Sequence, residues 1–282
     1  MKNSPGFTFR NALEEEIPLQ IVGTINAYAA IMAKNSGFRA IYLSGAGIAN
    51  ASYGIPDIGL TTLDNVLEDA RRITGAVDLP LLVDIDTGWG NTKMVARTIK
   101  EMERADVAAV HMEDQPFEKQ CGHLSKPTVV STQEMQGRLK AAVDARVDPS
   151  FVIMARTDAY RVEGLSKTLE RCLAYEEAGA DMHFIEALSS LDDYQSFSKV
   201  LKKPILANIT EFGKTPLFTK DELAQAGVSL ILYPLSAWRA MNLAALRIFE
   251  GIRTEGTQKN LLNEMQTREE LYGFLNYSPK MN

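Results

Sequence analysis

A cysteine placed between a lysine and a histidine, just behind two acids, is a combination that can move protons. In Glu113-Asp-Gln-Pro-Phe-Glu-Lys-Gln-Cys-Gly-His123 an apolar run, Val107–Met112, stops at Glu113 and Asp114, and the stretch that follows presents Cys121 beside Lys119, Gly122 and His123. Positive charge nearby lowers the pKa of a thiol, so Cys121 is suited to proton exchange near neutral pH. Cys172 differs. In Thr168-Leu-Glu-Arg-Cys-Leu-Ala-Tyr175 it falls on a helical pattern among apolar neighbours and reads as a small buried side chain.

Val83-Asp-Ile-Asp86 puts two carboxylates at i and i+2, on one face of a strand and near its C-terminal end. Asp84 and Asp86 repel unless something neutralises them. Mg²⁺ commonly takes one or two carboxylates together with waters and substrate oxygens, so it is the simplest partner, with Mn²⁺ open as a substitute. Glu113, ending the next strand, can complete this site directly or through water. His111, His123 and His183 lack metal-ligand spacing. Arg156, in Met154-Ala-Arg-Thr-Asp158, is a charge at a strand end, where a guanidinium can hold a carboxylate in two parallel hydrogen bonds. Arg239 and Arg268 are candidates for the same work. Ser44-Gly45-Ala46 offers a hydroxyl and closely spaced backbone N–H groups, and Asn208-Ile209-Thr210 offers neutral hydrogen-bonding partners. Together these point to a small, multiply anionic carboxylate substrate, without defining the reaction.

The elements that must position these groups are legible as eight short apolar runs, each followed by a helical pattern: Leu19–Thr24, Ala40–Leu43, Leu81–Asp86, Ala108–Glu113, Phe151–Thr157, Met182–Glu186, Ile205–Asn208 and Leu230–Tyr233. Repeated βα units with strands apolar on both faces predict a parallel sheet, and the polar residues collected at the C-terminal ends predict a (β/α)8 TIM barrel with its site at that end. None of the runs ends in lysine, which argues against a Schiff-base aldolase. The chain after the seventh and eighth runs lacks the glycine-rich pattern of a phosphate site. The 282 residues fit one barrel domain spanning 1–282, which after its eighth run carries surplus helical patterns at Ala237–Glu255 and Leu261–Asn276. The surplus, within 237–276, needs a surface to cover, either a neighbouring subunit or the chain's own barrel end.

Composition bounds the rest. An apolar share of 45% supports a large core, and no stretch approaches the roughly 20 apolar residues of a membrane span. A net charge of −6 with no basic cluster disfavours nucleic acid. Two cysteines make no disulfide framework, and the first ten residues lack a secretory core, so a cytoplasmic location is expected.

Lys119-Gln-Cys-Gly-His123, Val83-Asp-Ile-Asp-Thr-Gly-Trp-Gly90, Met154-Ala-Arg-Thr-Asp158, Asn208-Ile-Thr-Glu-Phe-Gly213, Tyr233-Pro-Leu-Ser236 and Glu255-Gly-Thr-Gln258 resemble motifs of the isocitrate lyase and phosphoenolpyruvate mutase superfamily, over almost the whole chain. The resemblance implies Mg²⁺-dependent cleavage of 2-methylisocitrate to pyruvate and succinate in propionate catabolism. By the same resemblance Asp84, Asp86 and Glu113 serve the metal; Ser44, Gly45, Ala46, Cys121, Gly122, Arg156, Glu186, Asn208, Ile209, Thr210, Arg239 and Arg268 serve the substrate; and Cys121 delivers a proton, supported by Asp57, Lys119 and His123. Tyr42 is a candidate for the base that takes the hydroxyl proton. Phe184 and Leu232 are suited to a methyl pocket. A homotetramer with exchanged C-terminal helices is implied too. The alternatives are isocitrate lyase or another relative such as an oxaloacetate decarboxylase, and, from a different class, a barrel that binds carboxylates without turning them over. Gln120 replaces the signature's second basic residue, and Ala46 stands where relatives carry glycine.

Overall fold

The protein is described by a computed structural model covering residues 3–117 and 128–278. Cys121, Lys119, Gly122 and His123, singled out above, lie outside the described residues.

Eight parallel strands close on themselves in sequence order: β1 Leu19–Gly23, β2 Ala40–Leu43, β3 Leu81–Asp84, β4 Ala109–Glu113, β5 Val152–Thr157, β6 Met182–Ile185, β7 Ile205–Asn208 and β8 Leu230–Tyr233. Closure is explicit in the register, where Leu19 of β1 pairs with Leu230 of β8 and Ile21 with Leu232. The helices are α1 Pro5–Glu15, α2 Ala27–Asn35, the single turn α3 Gly45–Gly47, α4 Leu63–Thr74, α5 Thr92–Arg104, α6 Thr132–Ala145, α7 Tyr160–Glu177, α8 Leu191–Ser198, α9 Lys220–Gln225, α10 Ser236–Glu255 and α11 Arg268–Phe274. This is the (β/α)8 barrel expected from the apolar runs.

Burial on both strand faces explains why those runs are continuous rather than alternating. One set of side chains, including Leu19, Ile21, Leu82, Met154, Leu206 and Leu230, fills the barrel interior. Another, including Ile41, Val83, Val110 and Ile153, packs outward on helices such as α4 and α5 through Leu67, Ile73, Val95 and Ile99. Helix α1 closes the end opposite the site. Ser4 caps it through a hydrogen bond from Phe7 N, and Pro5 starts it, where a missing N–H costs nothing. Phe9 is completely buried in the interior cluster. Gly6 permits the close approach, since a Cβ there would lie 2.5 Å from Phe151 N.

Two expectations need correction. The run Leu81–Asp86 is not strand throughout: β3 stops at Asp84, and Asp86 turns into the left-handed region at φ 48°. Ile85 is fully buried between the two acids and so imitates strand alternation in the sequence. Leu261–Asn276 is not one helix either. A 3₁₀ turn, Lys259–Glu264, gives way to extended backbone at Met265, and α11 starts afresh from a capping box in which Thr267 and Glu270 satisfy each other's backbone N–H groups. Helix α10 buries none of its residues in this chain and exposes Leu243, Leu246, Phe249 and Ile252, an i, i+3 row that winds halfway round the helix.

Candidate active site

Polar residues at the C-terminal strand ends surround a cavity of about 520 Å³. Its lining includes Tyr42, Ser44, Ala46, Asp57, Asp84, Glu113, Arg156, Glu186, Asn208, Thr210 and Arg239, all anticipated from the sequence, together with Phe184 and Leu232. Strands β2 to β7 each deliver a polar group at, or one residue from, their C-terminal ends, because the interior farther down is already filled by apolar side chains.

Arg156 ends β5 in a nest of acids. Its Nε and Nη2 donate to Asp158 Oδ2 and Oδ1, both at 3.1 Å. Its Nη1 lies 3.2 Å from Glu113 Oε2 and its Nη2 3.4 Å from Glu186 Oε2. The parallel pair of hydrogen bonds foreseen for a substrate carboxylate is thus made to Asp158. Burial opposes the charge, but Asp158, Glu113 and Glu186 outweigh it and hold the Arg156 pKa well above its ordinary value, so the guanidinium stays charged. Its carbon Cζ lies 5.1 Å from the centre of the Phe184 ring, which shields one face of the cation from water. Asn208, ending β7, donates its amide to Glu186 Oε1 and Oε2 at 3.4 and 3.3 Å, and Ala187 N donates to Oε1 at 2.9 Å. Glu186 is thereby kept an acceptor with a fixed orientation.

Ser44 ends β2 as the cap of α3, accepting from Gly47 N, and the next N–H, of Gly45, donates to Asp84 Oδ2 at 3.2 Å. The other oxygen, Asp84 Oδ1, accepts from Asp86 N at 3.0 Å. A Cβ built on Gly45 would come within 3.0 Å of Asp84 Oδ2 and 3.2 Å of Asp86 Oδ1. The two carboxylates therefore converge on one spot in spite of the left-handed turn between them. The main chain carries Glu113 to the same place, because Glu113 N donates to Asp86 O at 2.9 Å.

Comparison with known proteins agrees with this geometry. Residues 9–253 match the phosphoenolpyruvate phosphomutase family. The chain belongs to this family. Within it, the chain is 60% identical to a 2-methylisocitrate lyase of Shewanella oneidensis over 98% of this chain and 95% of that protein. It is 58% identical to a 2-methylisocitrate lyase of Vibrio cholerae, covering 98% and 92%. Among solved structures, 2,3-dimethylmalate lyase, a member of the phosphoenolpyruvate mutase/isocitrate lyase superfamily, superposes with a TM-score of 0.90 at 31% identity, covering 97% of this chain and 92% of that one. Phosphonopyruvate hydrolase in complex with oxalate and Mg²⁺ superposes with a TM-score of 0.85 at 30% identity, covering 97% and 95%.

Not every anticipated residue of this family member reaches the cavity. Ile209 is buried behind it, its N–H donating to Leu232 O. Arg268 opens α11 away from the lining residues. Asp86 stands behind the wall, in the cradle around Gly45. Conversely, two side chains escaped the sequence reading. His111, fully buried, brings Nε2 to 2.9 Å from the Tyr42 hydroxyl and Nδ1 to 3.8 Å from Asp84 Oδ1. It lies two residues before Glu113 on β4, and that i, i+2 spacing was the available signal. Glu211 lines the cavity mouth, accepting from Ser236 Oγ and lying 3.7 Å from Arg239 Nε.

Proposed function

We propose that this chain is a divalent-cation-dependent carbon–carbon lyase that cleaves 2-methylisocitrate to pyruvate and succinate. The observation that carries the reading is the union, in one cavity, of a charged Arg156 among fixed hydrogen-bonding groups with an apolar wall, Phe184 and Leu232, on which a methyl group can rest. The 2-methylisocitrate lyases at 58–60% identity support the choice of substrate.

The lining fits a bound cation. Asp84 Oδ2 and Asp86 Oδ1 converge beside Gly45, where a Cβ would come within 3.0 and 3.2 Å of them, and a divalent cation suits two carboxylates so placed. Mg²⁺ suits the donor set, with Mn²⁺ as a substitute: no group of three His, Cys, Asp or Glu side chains among the described residues encloses a metal, but Mg²⁺ needs only one or two carboxylates when waters and substrate oxygens complete its shell. Asp84 and Asp86, converging beside Gly45, would hold it, with Glu113 behind them. Bound there, the ion supplies Lewis acidity to the substrate's C2 hydroxyl.

The chain's own groups do the rest. Arg156, Asn208 and Thr210 orient the carboxylates of the succinate half, and Ser44 with the Ala46 N–H orients the pyruvate half. Loss of the C2 hydroxyl proton, with Tyr42 as the candidate acceptor, lets C2 become the carbonyl of pyruvate as the C2–C3 bond breaks. Cys121 returns a proton to the carbon left on the succinate half, with Lys119, His123 and Asp57 in support. A thiol with an ordinary pKa near 8.5 is a serviceable acid for that step. Arg239, and Arg268 in the assembled protein, complete the charge.

We extend the proposal to assembly. The exposed apolar row Leu243, Leu246, Phe249 and Ile252, winding round α10, fits a helix wrapped by a second copy of the chain, in a homotetramer with the 237–276 helices packed on a neighbour. No helix among the described residues is long and apolar enough to cross a membrane, and a cytoplasmic location suits the reading.

The deciding experiment is pyruvate release coupled to lactate dehydrogenase, with 2-methylisocitrate and isocitrate in parallel, each with Mg²⁺ and with EDTA. Faster, EDTA-sensitive turnover of the methylated substrate is expected. Faster glyoxylate release from isocitrate would overturn the substrate, and binding without release of either product would make the chain a carboxylate-binding barrel.

A further inference from the structure

The segment that contains Cys121 leaves the barrel at Asp114 and returns at Val130, and both points are held by buried arginines that do not themselves line the cavity. Val130 N donates to Asp114 O at 2.8 Å, so outgoing and returning chain are joined by their main chains. Arg171 of α7 then clasps the join. Its Nη1 donates to Val130 O at 2.8 Å and lies 3.6 Å from Asp114 Oδ2. The rest of its fork is fixed from behind: Nε and Nη2 donate to the two oxygens of Glu163, both at 2.7 Å, one residue before the break in α7 at Gly164. Arg138 of α6 holds the outgoing side, with Nη1 donating to Gln115 O at 2.8 Å and to Glu113 O at 3.3 Å. Arg138 and Arg171 are only 8% and 6% exposed. Burying two guanidiniums is costly unless their donors are used. That cost is hard to explain by fold stability alone, when apolar side chains would fill the same space.

The join is also wired to the site. Asp114, fully buried, accepts from Tyr175 and Thr157 hydroxyls on Oδ2 and from Asp158 N on Oδ1. Asp158 is the residue whose carboxylate grips Arg156. One buried carboxylate thus references both the segment's exit point and the main charged group of the cavity to the same frame.

We infer that Arg171 is a positioning residue for turnover, acting with Arg138 as a neck that sets where the Cys121-bearing segment starts and ends relative to Arg156. This rests on the reading of Cys121 as proton donor. Displacing a reacting group by about 1 Å from a remote change can cost on the order of 100-fold in rate. The neck therefore governs kcat, while the substrate's own contacts, and KM with them, stay in place.

The test compares wild type, Arg171→Lys and Glu163→Gln by steady-state kinetics on 2-methylisocitrate, circular dichroism, and the rate of Cys121 alkylation by iodoacetamide followed by mass spectrometry. Cys172 is fully buried and its thiol pKa is pushed up by burial, so alkylation reads Cys121. Lysine keeps the charge but cannot fork. Arg171→Lys should lower kcat by about 100-fold with KM changed by less than about threefold, and should shift the alkylation rate several-fold in folded protein. Glu163→Gln, which leaves Arg171 in place but loosens it, should fall between, and it carries the test if Arg171→Lys does not fold. Wild-type kcat and alkylation in a folded variant would overturn the inference, as would a loss of activity that merely follows the folded fraction while alkylation is unchanged. A wild type that releases no pyruvate would refute the functional reading instead, and the alkylation arm would still decide whether the neck places the thiol.

Discussion

The hydroxyl of Tyr42 and Nε2 of His111 lie 2.9 Å apart with their rings stacked at 21°, and the same hydroxyl is 3.5 Å from Asp84 Oδ2. The phenol is therefore held by a neighbour on β4 with its oxygen beside the carboxylate nearest the proposed cation. Tyr42→Phe removes that oxygen with little change in volume. It should lower kcat by about 100-fold or more, the usual range for a positioned proton acceptor, while KM changes little. Steady-state kinetics at saturating Mg²⁺ checks this, and an unchanged kcat would remove Tyr42 from the proton path.

Gly45→Ala probes the cation site without touching a carboxylate. The added methyl would press on Asp84 Oδ2 and Asp86 Oδ1, at 3.0 and 3.2 Å, and drive them apart. The affinity for Mn²⁺, measured by calorimetry on the substrate-free protein, should fall by about 10- to 100-fold, as for other changes that reorient metal-binding groups. Equal affinity would place the cation elsewhere.

His183 supplies a pH signature independent of catalysis. It is fully buried at β6, with Nε2 3.1 Å from Glu176 Oε1, and burial holds its pKa below the ordinary 6.5. Between that lowered value and 6.5 the unfolded chain binds more protons than the folded one. Stability therefore rises with pH through this window and is lost as the pH falls through it, by at most about 1.4 kcal/mol per pH unit for one proton. Melting temperatures from pH 7 to 5 should drop more steeply in wild type than in His183→Asn. Parallel curves would refute the assignment.

Phe249→Glu places a charge in the exposed apolar row of α10, where Phe249 is 70% exposed in the isolated chain. A charge that a second copy would have to bury costs several kcal/mol, so sedimentation should show smaller species than for wild type. An unchanged assembly would mean that α10 faces solvent.

The barrel was readable because its strands are buried on both faces: Ala40–Leu43, Ile205–Asn208 and Leu230–Tyr233 agree with the structure to the residue. Most lining residues were readable too, since a charge or amide that ends an apolar run has few other reasons to be there. What escaped depended on geometry that no local pattern encodes. Asp86 reads as strand until its left-handed backbone is seen. His111 lacks metal spacing and resembles an ordinary core histidine, and only folding brings Tyr42 against it from 69 residues away. Helix α1 carries too few apolar positions to announce itself, because its buried face is short: Phe9 and Ala12, with Leu13 packed partly beside them. Arg138 and Arg171 look like solvent-facing charges on amphipathic helices, and their carbonyl partners leave no trace in sequence.

Phe9 has a last consequence. With the lower end of the barrel stoppered, the described residues leave the end formed by the strand C-termini as the way in and out. A single molecule enters and two leave, so departures must queue: the fragment nearer the mouth has to clear before the deeper one can pass. Product inhibition should then differ in kind for the two acids. The last to leave competes directly with incoming substrate, and the first to leave does not.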